Sequence, residues 1–406
     1  MGQPLRLLHP QEMIQLSACL PPGTATRFDV KTAIRHSDWE KLLQHIKRRN
    51  LAALLLNFLE RESLIDQLPA GIHEQLTLQE LSGKLTLRRY EKELHRLCTS
   101  LKEIYVKPLI LKGGTAGPLY YERPELRLFK DIDMLILSSD IIKSVELFHE
   151  LGYLERRISW DIRPRERIYF DRKSRNLDPK ITMTYRPEGT SGEQDYSLDL
   201  HWHPFEFPGV FSKYGSNIPE TAFFEAAIPH PGIPDLAFSP CPEDHLIHLG
   251  IQMIVHDKSV QIYRLADALR IVRHPKYAPN LDKLEERAKA FRVEGVVYYL
   301  CHFLKIIFGA DIVPEDYVNR MRPAKWRIRI LKWYEFDQLP DPLDSQFRKN
   351  AKRAMEMLLV TKSLLKIPVL YLYKLKIVQF SARMRTWIRR RLSNGPKPLP
   401  EMKHEN

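Results

Sequence analysis

Cysteine is scarce and scattered. Four residues, Cys19, Cys98, Cys241 and Cys301, are spread over 406 positions, and no two form a Cys-x-x-Cys pair. That spacing argues against a zinc ribbon or a disulfide framework, and reduced thiols are the expectation. Long apolar runs are missing as well. The best stretch, residues 367–380, is broken by Lys374 and Lys376 and preceded by Lys366, so nothing reads as a membrane span. The first residues, Met1-Gly2-Gln3-Pro4-Leu5-Arg6, carry no apolar signal-peptide core. Arg6 also stands where a myristoylation signal needs Ser or Thr. No internal repeat and no recognised nucleic-acid module is present. The expected location is cytoplasmic, with peripheral contact at the inner membrane surface as a variant of it.

Acid is in deficit. Against 63 Lys and Arg stand 50 Asp and Glu, a net charge of +13, which suits an anionic partner such as a nucleotide, nucleic acid or membrane surface. Part of the excess belongs to one segment, where Arg383, Arg385, Arg389, Arg390 and Arg391 cluster. A hydrophobic fraction of 44% is enough to bury a core.

The pattern along the chain predicts an α+β protein with a small mixed β-sheet core between two helical regions. Residues 1–104 read as an N-terminal helical region. Trp39, Leu42, Leu43, Ile46, Leu51, Leu54, Leu55 and Phe58 keep helical spacing behind Ser37 or Asp38 as cap. A longer helix is predicted from Ile72 to Ile104, with Leu76, Leu81, Leu85, Leu87, Leu94, Leu97 and Leu101 as its apolar residues. Residues 105–235 read as the core, with strands at 106–111, 132–137, 167–171, 181–185 and 196–202. A hairpin loop is expected between Arg186 and Asp195, and a helix after Ser139-Asp140. Residues 204–242 are proline-rich and read as a covering segment. Residues 236–393 read as a C-terminal helical domain, and 394–406 as a disordered tail.

The chemistry concentrates in Leu109-Ile110-Leu111-Lys112-Gly113-Gly114, Arg127 and Asp131-Ile132-Asp133. Glycines between a strand and a helix let a phosphate approach backbone N–H groups, although a plain tight turn reads the same way. Lys112 would neutralise phosphate charge there. Asp131 and Asp133, two apart on a strand, share a face. Like charges side by side repel, and a divalent cation between them relieves the repulsion. Mg²⁺ prefers such oxygen ligands together with substrate phosphates. Asp199, in the alternating run Tyr196-Ser197-Leu198-Asp199-Leu200-His201-Trp202, is the best third carboxylate. It is expected to act as a ligand or as the base for an attacking hydroxyl, if its strand lies beside the first.

This ordered set resembles the motifs of an uncharacterised bacterial nucleotidyltransferase family in the DNA polymerase β-like superfamily. The later Cys241-Pro242-Glu243-Asp244-His245-Leu246-Ile247-His248 and Arg264-Leu265-Ala266-Asp267 are similar to its helical motifs, so the likeness runs from about Lys107 to Val272. The resemblance implies an NTP, with ATP the expected co-substrate, held through Lys112, Gly113 and Gly114. It also implies two Mg²⁺ ions on Asp131, Asp133 and Asp199, and Arg127 near the phosphates. The implied reaction is in-line attack by an unknown acceptor on the α-phosphorus, which transfers the NMP group to that acceptor and releases pyrophosphate. The superfamily often has Gly-Ser at the turn; here Gly114 takes that place, and Thr115 is the residue left to supply a hydroxyl.

Other readings compete. His245, His248, the pair His256-Asp257, and Asp267 are too closely spaced for a metal-dependent phosphohydrolase of the HD type. Asp267 is expected to pair with Arg264 or Arg270 or to line the cleft. Ile377, Phe380, Met384, Trp387 and Ile388 can form one apolar helical face flanked by basic residues, which suits a membrane surface or nucleic acid. A non-catalytic nucleotide-binding scaffold would share the same core.

Overall fold

The computed structural model describes residues 9–155, 180–187, 195–204, 219, 221–253, 262–309 and 312–325. The expected strand at 167–171, the basic helix around residues 377–390 and the tail at 394–406 lie outside the described residues.

The chain opens with helices α1 Pro10–Ala18, α2 Val30–His36, α3 Trp39–Arg49, α4 Ala52–Arg61 and α5 Ile72–Glu103. Asp38 caps α3 by accepting from the Lys41 amide at 3.2 Å. The helical pattern from Trp39 to Phe58 is not one helix. Asn50 ends α3 in the left-handed conformation, φ 54°, one of the few side chains that tolerates it. The amphipathic spacing resumes after the break, which is why periodicity alone did not reveal it. Along α5, Leu76, Leu87 and Leu94 are buried, while Leu78, Leu81 and Leu85 are more than half exposed. At about 100° per residue the two sets fall on opposite sides, so the leucines of this helix do not form one stripe.

A seven-stranded mixed sheet follows, from β1 Leu109–Ile110, β2 Ile132–Leu135, β3 Leu154–Glu155, β4 Lys180–Tyr185, β5 Tyr196–His201, β6 Ile228–Pro229 and β7 Phe238–Ser239, in the order β3-β4-β5-β2-β1-β7-β6. Helix α6 Lys112–Tyr120 leaves β1 directly, and α7 Ile141–Glu150 follows β2. Strands β4 and β5 pair antiparallel up to Tyr185↔Tyr196, as the two arms of a hairpin do, and residues 188–194 of the expected loop lie outside the described residues. Strand β5 then lies parallel to β2, with Asp133 opposite Asp199 and Leu135 opposite His201. The proline-rich passage does more than cover. It holds α8 Ala222–Glu225 and both strands of the β6–β7 pair, and β7 extends the sheet beside β1.

The C-terminal helices are α9 Pro242–Ile251, α10 Ile262–Arg273, α11 Leu281–Ala290, α12 Glu294–Phe308 and α13 Glu315–Arg320. Pro242 sits at the first helical position, where its missing N–H is not needed. Two apolar cores form. One joins Ile14, Leu42, Leu54 and Leu76 of the N-terminal helices to Leu265, Leu269, Val296 and Leu304 of the C-terminal ones. The other packs Leu87, Leu94 and Leu101 of α5, with Phe148 of α7, against Met134, Met183 and Leu200 of the sheet. The α5 helix therefore belongs to both. No helix of the described residues is long and apolar enough to cross a membrane.

Candidate active site

The site forms where β2 and β5 run side by side. Their parallel register puts the Asp133 and Asp199 side chains next to each other, and both are buried. His201 lies two residues beyond Asp199 on the same face and reaches across, its Nε2 3.0 Å from Asp133 Oδ1. One ligand atom each from Asp133, Asp199 and His201 lies within 4.8 Å of the others, the arrangement a metal ion needs. Two carboxylates and an imidazole are a chemically fitting donor set for a divalent cation. Asp131 is placed differently. It precedes β2, is exposed, and stands at the mouth of the site outside that close group.

Each buried carboxylate also meets an ammonium. Lys112 Nζ donates to Asp133 Oδ1 at 2.7 Å, and Lys180 Nζ to Asp199 Oδ2 at 2.9 Å. Thr182 Oγ1 donates to Asp199 Oδ1 at 2.6 Å. Burial works to raise the Asp133 pKa, but the Lys112 charge and the His201 hydrogen bond outweigh it. The carboxyl is held well below the usual carboxylate range. Asp131 moves the opposite way. The Asp133 charge beside it, followed by partial loss of water, lifts its pKa to about 6.

A cleft of about 330 Å³ opens beside Asp199 and Asp131, which line it. That is within the size range of small-ligand sites. Its wall includes Lys112, Gly113, Arg127, Lys130, Asp131, Lys180 and Asp199 of the core, Tyr263 and Arg264 of α10, and Arg48, Arg49 and Asn50 at the end of α3.

The glycines are required by packing. Lys112-Gly113-Gly114 is the first turn of α6 rather than a loop before it, and Lys112 has φ 51°. A Cβ on Gly113 would lie 2.7 Å from Phe129 Cβ and 3.3 Å from Arg127 Nη1, and one on Gly114 would lie 2.8 Å from Ile110 Cγ2. The turn therefore sits tightly against the sheet, with its N–H groups at the helix start and Gly113 on the cleft wall. Gly113→Ala should lose about 1–3 kcal/mol to overpacking, read from urea unfolding midpoints. An unchanged midpoint would show that Phe129 and Arg127 give way freely.

The remaining expected residues are placed as follows. Thr115 is fully buried, and its hydroxyl donates to Ile110 O at 2.6 Å, so it faces the sheet and not the cleft. Arg127 is buried beneath the cleft. Its Nε donates to Asp267 Oδ1 at 2.7 Å, its Nη2 to Asp267 Oδ2 at 3.0 Å, and its Nη1 to Leu128 O at 2.8 Å. Tyr121 Oη also donates to Asp267, at 2.6 Å. Asp267 therefore pairs with Arg127. The competing partners were close in sequence, while the real one is 140 residues away. His245 and His248 are buried on α9, where loss of solvent pushes both pKa values down and that of His245 to about 4. Neither belongs to a metal-competent group among the described residues.

Sequence reasoning left His201 beside Asp199 without a role at Asp133, although their alternation already put it on that face. It missed Lys180 and Thr182, which share the same side of the neighbouring strand. It also missed Arg48, Arg49 and Asn50, for which no local signal distinguishes a cleft wall from a basic helix end.

A strand pair bearing buried acids, a helix starting in a glycine turn, and a basic cleft make up the candidate site. Residues 35–309 match the family described as uncharacterised nucleotidyltransferase, and the chain belongs to that family. No curated protein matches the chain.

Proposed function

We propose that the protein is a Mg²⁺-dependent nucleotidyltransferase that moves an NMP group from an NTP, ATP being the expected donor, to an acceptor with release of pyrophosphate. The observation that carries this reading is the β2–β5 register, which brings Asp133, Asp199 and His201 together, with Asp199 on the wall of a basic cleft. Asp133 and Asp199, with Asp131 at the mouth, would hold the cation. When bound, it supplies charge neutralisation at the phosphates and at the attacking oxygen. His201 keeps the Asp133 carboxylate oriented through its hydrogen bond. Lys112 and the first turn of α6 offer positive charge and backbone donors to phosphate oxygens. In the transfer, the acceptor oxygen bonds to the α-phosphorus, and the α–β bridging bond breaks with its electrons leaving on pyrophosphate. Asp199 is the carboxylate nearest in role to a base for the acceptor proton.

One observation favours a second reading. Lys112 and Lys180 already neutralise Asp133 and Asp199, which would suit a nucleotide-binding scaffold that uses no metal. Incubating the full chain with α-phosphate-labelled ATP, cell extract and Mg²⁺ separates the two. Label should move to a larger product, and EDTA should stop it. Nucleotide binding that EDTA leaves untouched, with no label transferred, supports the scaffold.

A further inference from the structure

We propose that the centre holds one divalent cation, with the Lys180 ammonium standing at Asp199 in place of a second. The proposal rests on the nucleotidyltransferase reading above and departs from the two ions that the family resemblance implies.

The acids of the centre differ in what already meets them. Asp199 lies between two strands, opposite Asp133 of β2 on one side and Thr182 of β4 on the other. Lys180 is two residues before Thr182, so it shares that face and stands opposite His201. A long side chain reaches diagonally across a strand pair from such a place. The Thr182 hydroxyl donates to Asp199 Oδ1 at 2.6 Å and the Lys180 ammonium to Oδ2 at 2.9 Å, so both carboxylate oxygens hold a donor. Asp133 is met on one side only. Lys112 Nζ at 2.7 Å and His201 Nε2 at 3.0 Å both reach Oδ1, and among the described residues no donor meets Oδ2.

A two-metal centre sets its ions about 3.5–4 Å apart and needs carboxylate oxygens for both. Asp131 and Asp133 Oδ2 can serve one cation. Asp199 Oδ1, with a second lone pair and only a hydroxyl on it, can help to complete its shell. A second cation would need Asp199 Oδ2, where it would meet the Lys180 ammonium, and like charges in contact repel. Lys180 is also placed to act. Its side chain is largely buried, and it lines the cleft together with Asp199. An ammonium held there is a point charge that can meet negative charge on an oxygen beside Asp199. A plain ion pair that keeps a buried acid ionised would show the same contact. The two accounts part when the charge is removed. A structural pair would leave the number of bound cations as it was, whereas here the loss of Lys180 opens Asp199 to a second.

The test is a Mn²⁺ titration of the full chain with an ATP analogue whose α–β bridge is a methylene group, followed by electron paramagnetic resonance. Two Mn²⁺ ions at bridging distance give the spectrum of a coupled pair, and a single one gives that of an isolated ion. The wild type should show an isolated ion throughout. Lys180→Met should show a coupled pair at raised Mn²⁺, and its label transfer from α-labelled ATP in Mg²⁺ should fall about a hundredfold. Lys180→Arg should keep the isolated ion and part of the transfer. If Lys180→Met does not fold, Lys180→Gln, which keeps a donor to Asp199 without the charge, carries the comparison. A coupled pair in the wild type overturns the inference and leaves the nucleotidyltransferase reading standing. An isolated ion in the uncharged variant, whatever its transfer rate, also overturns the inference alone, since Lys180 would then be a plain ion-pair partner. A wild type that binds no Mn²⁺ overturns the inference and the metal-dependent reading together.

Discussion

Asp133→Asn is expected to lower nucleotide transfer by about a thousandfold, about 4 kcal/mol of transition-state stabilisation. Asp133 is the residue on which the site converges. It is buried, it accepts from Lys112 at 2.7 Å and lies 3.0 Å from the His201 imidazole, and it faces Asp199 across the strand pair. An amide of the same shape loses the charge that a cation requires and breaks the ion pair with Lys112. Asp131→Asn should cost much less, about tenfold, because that carboxylate stands exposed at the mouth. The checks are label transfer from α-labelled ATP and Mn²⁺ binding followed by electron paramagnetic resonance. Wild-type turnover in the Asp133 variant, or a larger loss in the Asp131 variant, would move the metal centre away from the β2–β5 pair.

The second large effect belongs to stability. Asp267→Ala removes the only carboxylate described against Arg127, and it leaves a buried guanidinium and the Tyr121 hydroxyl without their acceptor. A loss of about 3–5 kcal/mol is expected, read from chemical denaturation. Replacing both partners, as Arg127→Met/Asp267→Leu, should recover a good part of it, because two apolar side chains need no counter-charge. A single variant within about 1 kcal/mol of wild type would mean that the pair does not hold the core to α10. The double variant also reports on Arg127 itself. If it still binds ATP, Arg127 acts by positioning the glycine turn. If binding vanishes while the fold is regained, Arg127 touches phosphate directly.

Much of the centre was legible in the sequence because strand alternation is local. Asp131-Ile132-Asp133 and Leu198-Asp199-Leu200-His201 each announce a face two residues at a time. Their adjacency was stated as a condition, and the register Asp133↔Asp199 meets it. The helix at Pro242 and the hairpin before Tyr196 followed from proline and turn chemistry in the same local way. What escaped depends on distance along the chain. Arg264 and Arg270 were the natural neighbours of Asp267, but burial selects the partner that can be enclosed with it, and Arg127 is that partner. Arg48 and Arg49 look like any basic helix end. Only the left-handed stop at Asn50 and the packing of α3 in the helical core place them on the cleft wall. Thr115 shows the reverse. It stood in the right place to imitate a missing serine, but its helical position rotates the hydroxyl onto Ile110 O.

The shared core of the first and last helices has a consequence for how the protein comes into being on the ribosome. Cys19 O accepts from Arg270, and the Arg27 guanidinium donates to Ile306 O. The apolar sides of α1 to α4 thus wait for partners synthesised some 250 residues later. Vectorial synthesis cannot finish that layer early, because Leu265, Leu269, Val296 and Leu304 of α10 and α12 belong to the same core. The cleft shares this timing, since Tyr263 and Arg264 arrive on the same late helix. A half-made chain therefore carries the acids of β2 and β5 without an enclosed site around them. The cleft is closed in the same event that completes the fold.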